Sequence, residues 1–149
     1  MKLMERMKQK RMGNKGFSLV ELIIVIAIMA ILVGIVGTQV VPYLNRARQS
    51  ADRELLSAYA TAAMSAYTFN PEEDYSNPIN VFDGSGNADT STPFLQSLNE
   101  LTSYNTLDEV NDILRSGDAT NITITFNFTT HTLEVSAPGS GVEAVESTL

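Results

Sequence analysis

Leu22-Ile23-Ile24-Val25-Ile26-Ala27-Ile28-Met29-Ala30-Ile31-Leu32-Val33-Gly34-Ile35-Val36 is the core of an uncharged run of 24 residues, Leu22 to Asn45, bounded by Glu21 and Arg46. As an α-helix the run reaches roughly 36 Å, against a bilayer hydrocarbon core about 30 Å thick. A soluble domain in a chain of 149 residues seldom buries a helix that is apolar all round, so the run reads as a transmembrane segment. Charge divides on either side of it. Residues 1–16 hold Lys2, Arg6, Lys8, Lys10, Arg11 and Lys15 against one Glu, a net of +5, while the remainder carries four Arg against 16 acidic residues, a net of −12. By the positive-inside rule the basic flank stays cytoplasmic and the acidic body is exported.

Three kinds of N-terminus share this outline: a signal peptide, a plain membrane anchor and a processed filament subunit. A signal peptide has an apolar region of about 7–15 residues and a small-residue cleavage site after it. Here the apolar run is longer, and the chain continues as helix past Pro42. Glu21 fits neither a signal peptide nor a passive anchor, because an ionisable group in a membrane segment is costly and marks a functional site in need of a partner. Gly16 lacks a Cβ and lets a protease approach the backbone closely. Cleavage after it frees an α-amino group four residues before Glu21 and removes the +5 flank that holds the N-terminus on the cytoplasmic face.

Lys15-Gly16-Phe17-Ser18-Leu19-Val20-Glu21-Leu22, followed by Ile23-Ile24-Val25-Ile26-Ala27-Ile28, resembles the N-terminal signature of type IV prepilins and the related pseudopilins. The resemblance implies cleavage between Gly16 and Phe17 by a membrane prepilin peptidase, N-methylation of Phe17 and assembly into a helical filament. It implies that the Glu21 carboxylate pairs with the Phe17 amine of a neighbouring subunit and sets the subunits in register. Leu22, Ile23, Ile24, Val25, Ile26 and Ile28 would then build the bundle of stems. The implied partners are other copies of the chain, the prepilin peptidase and N-methyltransferase, and an assembly platform in the inner or cytoplasmic membrane. No cofactor is implied. The chain has no Cys, so it cannot form the C-terminal disulfide loop of many pilins and resembles Cys-free, Gram-positive-like members.

Gly34, Gly37 and Pro42 interrupt the good helix formers of the stem. Gly costs about 1 kcal/mol relative to Ala in a helix, and Pro removes a backbone bond and kinks the chain. In the resembled family such a stretch can lose helicity when subunits pack, although the proline usually stands nearer the start. From Tyr43 the pattern is amphipathic. Leu44, Ala47, Ala51, Leu55, Ala58, Ala62 and Ala66 define one helical face, with Arg46, Arg48, Asp52, Arg53 and Glu54 assigned to a solvated surface. Asn70-Pro71 predicts a stop at Phe69. An acidic loop follows, and then two short helices: one capped by Ser91-Thr92-Pro93 with Phe94, Leu95, Leu98 and Leu101 apolar, the other from Thr106 to a stop at Gly117. Alternation at Ile122, Ile124, Phe126 and Phe128, resumed at Leu133 and Val135, predicts a β-hairpin, with a third strand around Ile79–Phe82. The fold class is α+β, a long N-terminal helix whose second half packs on a small antiparallel sheet. The organisation is a leader at 1–16, a hydrophobic helix at 17–45 and a globular head at 46–149.

No catalytic constellation appears, and a reading as an enzyme is not adopted. The one His, His131, belongs to a hairpin turn, and the lack of Cys removes thiol nucleophiles and Cys-based zinc sites. Asp83-Gly84-Ser85-Gly86-Asn87-Ala88-Asp89 invites comparison with a calcium loop but lacks the Gly at its sixth place and the Glu at its twelfth. Asn121 and Asn127 open glycosylation patterns that solvent-facing strand residues also explain. The exported body, at −12, repels phosphate backbones, so no nucleic-acid partner is expected. The expected function is a filament subunit for adhesion, motility or surface interaction, single-pass in the cytoplasmic membrane as precursor and extracellular when mature. A pseudopilin of a type II secretion or DNA-uptake system is the alternative within the family. A membrane-anchored extracellular binding module is the alternative outside it.

Overall fold

The computed structural model describes residues 16–149. The basic leader, and with it most of the charge asymmetry behind the expected orientation, falls in residues 1–15, outside the described residues. The described chain divides between Val41 and Pro42 into two compact units.

The first unit is helical. Ser18 caps α1, Leu19–Ile35, and a five-residue π-helical segment, Val36–Val40, follows it. None of these residues is buried within the chain. The helical residues, which run without a break from Leu19 to Phe69, include a stretch long and apolar enough to cross a membrane.

The second unit opens with α2, Val41–Phe69, which ends one residue before Asn70-Pro71 as expected. Next come β1 (Ile79–Asn80), α3 (Pro93–Thr102), α4 (Leu107–Asn111), β2 (Thr123–Asn127), β3 (Thr132–Ser136) and β4 (Val145–Thr148). The four strands form one antiparallel sheet in the order β1-β2-β3-β4. In the hairpin, Ile124 opposes Val135 and Phe126 opposes Leu133. These four side chains share one core with Leu56, Tyr59, Ala63 and Ala66 of α2 and with Phe94, Leu95 and Leu98 of α3. The α+β arrangement of a long helix and a small antiparallel sheet is the one expected.

Several details differ from expectation. The buried face of α2 is Asp52, Leu56, Tyr59, Ala60, Ala62, Ala63 and Ala66. It is rotated from the anticipated alanine face, of which Leu44, Ala47 and Ala58 are exposed. Leu56 and Tyr59 bury far more apolar area than alanine does, and they turn the helix toward the sheet. Leu101, assigned to an apolar face, is 49% exposed. The second short helix ends at Asn111 rather than Gly117, where the Asn111 side chain pairs with both the N–H and the C=O of Ala119. Gly117 instead permits a close approach, since a Cβ there would lie 3.0 Å from the Ser140 carbonyl oxygen. β4 was not anticipated. Its Glu146, Ser147 and Thr148 carry no apolar alternation, and it is held through backbone pairing to β3.

The largest departure is Asp52, which is 2% exposed instead of solvated. Its carboxylate accepts the Arg115 N–H at 2.9 and 3.1 Å and the Ser116 N–H at 2.8 Å, fastening the loop after α4 to α2. Hydrogen bonds to a charged group contribute about 1.5–3 kcal/mol, and a buried donor left without a partner costs about 1–3 kcal/mol. Asp52→Ala should therefore lower stability by about 3 kcal/mol, and Asp52→Asn, which keeps one acceptor oxygen, by roughly half that, as read by thermal unfolding of the full chain in detergent.

Tyr75 joins the loop after α2 to the core. Its hydroxyl donates to the Asn70 carbonyl, and its ring lies 4.7 Å from that of Phe126. Burial lifts this hydroxyl to about 12, with the Glu73 carboxylate and Tyr67 adding to the rise. Burial pushes the Tyr59 hydroxyl up as well. A tyrosine whose pKa is higher folded than unfolded contributes stability that is complete below the unfolded value of about 10 and is lost as pH rises through the folded value. Stability should thus hold up to about pH 10 and fall toward pH 12, and Tyr75→Phe should make the fall shallower in an alkaline denaturation series.

Candidate processing and assembly site

Gly16 and Phe17 lie ahead of the first helical residue, in non-helical backbone, and both are exposed, Phe17 by 84%. A Cβ on Gly16 would meet nothing within 4 Å. Packing among the described residues therefore does not call for glycine there.

Ser18 begins the helix. It has extended backbone, at φ −69° and ψ 142°, and its hydroxyl oxygen accepts the Val20 N–H at 3.3 Å. In return the Glu21 carboxylate reaches back and accepts the Ser18 N–H at 3.0 Å, completing a capping box. Two donors that every helix start leaves open are thus satisfied. The Ser-x-x-Glu spacing signals this device, but reading Glu21 only as a charge in an apolar run passed over it. Among the described residues no cation pairs with Glu21. The carboxylate also sits where the positive end of the helix dipole favours it.

Leu22, Ile23, Ile24, Val25, Ile26 and Ile28 are each 46–58% exposed, on every side of α1. The described residues offer them no apolar partner, so their burial requires apolar surroundings from elsewhere, such as lipid or other helices. Gly37 stands inside the π-helical segment, Gly34 just before it and Pro42 just after it. Pro42 has no N–H to give the carbonyl four residues back, at Thr38, and its ring crowds that carbonyl. A wider π turn is one of the known ways a helix accommodates such a fault. The Thr38 hydroxyl folds back onto the Gly34 carbonyl at 3.1 Å, a bond of the kind that bends helices. A Cβ on either glycine would meet nothing within 4 Å. Neither is there to let another part of this chain approach.

The remaining sequence candidates have structural employment. The Asp83 carboxylate accepts the N–H groups of Ser85 at 2.8 Å and Asn87 at 2.9 Å. These bonds, that of Asn87 first, hold its carboxyl below the usual range. The loop is a side-chain-capped turn, and no group of three or more metal-ligating His, Asp or Glu occurs among the described residues. The Asn121 side chain pairs with both the N–H and the C=O of Phe82. Asn127 caps the hairpin turn through the N–H groups of Thr129 and Thr130, and His131 occupies that turn at φ +55°.

The prokaryotic N-terminal methylation motif matches residues 11–37, a stretch that includes Gly16, Phe17, Ser18, Glu21, the apolar stem and both stem glycines. No curated protein and no solved structure matches the chain. The motif implies processing by a prepilin peptidase and pilus-type assembly. With that motif at the head of a long helix, and a small antiparallel sheet after it, the chain carries the N-terminal signature of type IV pilin-like prepilins and is similar to them in arrangement.

Proposed function

We propose that the chain is a structural subunit of a type IV pilus. It would be inserted as a single-pass precursor with its N-terminus inside, and hydrolysed between Gly16 and Phe17. The new Phe17 amine would be methylated and the product polymerised into an extracellular filament for adhesion, motility or surface interaction. The observation that carries this reading is the methylation motif at residues 11–37, which runs into a helix whose apolar side chains find no partner among the described residues. A pseudopilus would use the same steps up to assembly, and the length of the fibres separates the two.

Glu21 supplies the register. An unpaired carboxylate buried among apolar helices costs several kcal/mol, and a paired, hydrogen-bonded one far less. The capping box engages one oxygen of Glu21 with Ser18, and the carboxylate retains capacity to accept the Phe17 amine of a neighbour. Removal of the leader takes away the positive charge that ties the chain to the cytoplasmic face. The stem can then leave the bilayer and enter the bundle. Gly37 within the π-helical segment, with Gly34 and Pro42 on either side of it, supplies the place where the stem can lose helicity on packing.

Mass spectrometry of the mature chain should find methylated Phe17 as its first residue, and Glu21→Ala should be trimmed at the same bond yet yield few filaments by electron microscopy. Normal fibres from Glu21→Ala would count against the register role. Gly34→Ala and Gly37→Ala should each stabilise the stem helix by about 0.5–1 kcal/mol. Slower amide exchange over residues 34–42 is the readout, with trimming unchanged and assembly reduced.

A further inference from the structure

Two Asn-x-Thr triplets of the head, Asn121-Ile122-Thr123 and Asn127-Phe128-Thr129, have no part in trimming or assembly. Such a triplet is the acceptor pattern for N-linked glycans, which are bulky and need surface backbone. The fold treats the two differently. Asn121 is half-buried, and both ends of its carboxamide are used. The oxygen accepts the N–H groups of Phe82 and Ile122, and the nitrogen donates to the Phe82 carbonyl at 2.8 Å. A sugar there would have to fit beside core residues, since Phe82 is 2% exposed and Ile122 fully buried.

Asn127 ends β2 and opens the hairpin turn, and it is exposed together with Phe128, Thr129, Thr130 and His131. Its side-chain oxygen accepts the Thr129 N–H at 3.0 Å and the Thr130 N–H at 3.1 Å. Two N–H donors mark that end of the carboxamide as the oxygen, which makes the amide nitrogen the other end. Among the described residues this nitrogen donates to no acceptor. The Thr130 hydroxyl pairs with that of Thr132, whereas the Thr129 hydroxyl makes no bond among the described residues. Between acceptor and hydroxyl stands Phe128, 49% exposed, its ring stacked 6.2 Å from that of Phe126 and 6.4 Å from that of Tyr67. The ring is backed from within and bare outside. Sugar rings carry an apolar C–H face, and covering a bare aromatic with one removes apolar surface from water.

We propose that Asn127 is the attachment site of an N-linked glycan, added to the exported head from a sugar carried on a polyprenyl diphosphate. In the transfer the Asn127 amide nitrogen forms a bond to the anomeric carbon of the sugar. The bond from that carbon to the diphosphate oxygen breaks, the polyprenyl diphosphate leaves with the electron pair, and the nitrogen gives up one proton to solvent.

This inference rests on the export of the head proposed above, and the test separates the two. The full chain is isolated from the cells that encode it, and a protease is added outside a second sample of intact, wall-stripped cells to score export. No Lys or Arg follows Arg115, so the tryptic peptide that begins at Ser116 holds both triplets, and electron-transfer fragmentation places any added mass on one residue. Sugar mass is expected on Asn127. It should be lost completely in Asn127→Gln and in Thr129→Ala, and kept in Asn121→Gln and in Thr129→Ser, which retains the hydroxyl. Both Thr129 variants keep the backbone N–H that caps the turn, so loss in one and not the other reports the acceptor pattern and not misfolding. A head protected from the external protease, with Asn127 bare, overturns the export reading and this inference with it. A digestible head with Asn127 bare, sugar on Asn121 alone or on a Ser or Thr hydroxyl, or sugar that survives Thr129→Ala overturns the glycan site alone.

Discussion

A helix with apolar side chains on every face has no stable place in water, and the architecture follows from where such a helix can go. Within α1 no residue is buried by the rest of the chain. Its stabilisation must come from apolar surroundings outside the described residues, which on the proposed function would be lipid in one state and like helices in another. The free energy of moving between those two apolar surroundings is small, because hydrocarbon and packed leucines or isoleucines are alike as solvents. What distinguishes them is the treatment of polar groups. On the proposed function, Glu21, the helix-start N–H groups and the carbonyls around Pro42 would be the features by which a subunit senses which environment it is in.

The second unit solves an opposite problem. Its sheet has only four strands, one of two residues, and its core is completed by α2. Small domains have little apolar area to bury, so single polar anchors matter more. Asp52 is such an anchor, since one carboxylate fixes two consecutive amides of a loop that has almost no regular structure. Asn111 and Asn121 do the same work for neighbouring loops, each pairing with the N–H and the C=O of one distant residue. Side-chain amides and carboxylates substitute here for the ladder that a larger sheet would supply.

Linear signals were legible and distributed ones were not. The methylation motif, the stop at Asn70-Pro71, the Thr92-Pro93 start of α3 and the alternation of the β2–β3 hairpin are all contiguous, so their physics is local. The rotation of α2 depends on which of several nearly equivalent faces finds the deeper pocket, and that is decided by Leu56 and Tyr59 against a sheet remote in sequence. The burial of Asp52 depends on amides 63 and 64 residues away. β4 has no side-chain pattern because its partner recognises backbone. At the N-terminal site the methylation motif was readable, whereas the bond between Ser18 and Glu21 was missed by giving a charged side chain only one role.

The position of the helix cap has a consequence for the cutting of the chain. The first helical backbone bond runs from the Leu22 N–H to the Ser18 carbonyl, and both side-chain bonds of the cap begin at Ser18 or beyond. The Gly16–Phe17 amide lies wholly upstream of this knot. Hydrolysis there, as proposed, would sever the leader without unravelling a turn, so the stem would keep one start before and after maturation and need no refolding step between the two lives of the molecule.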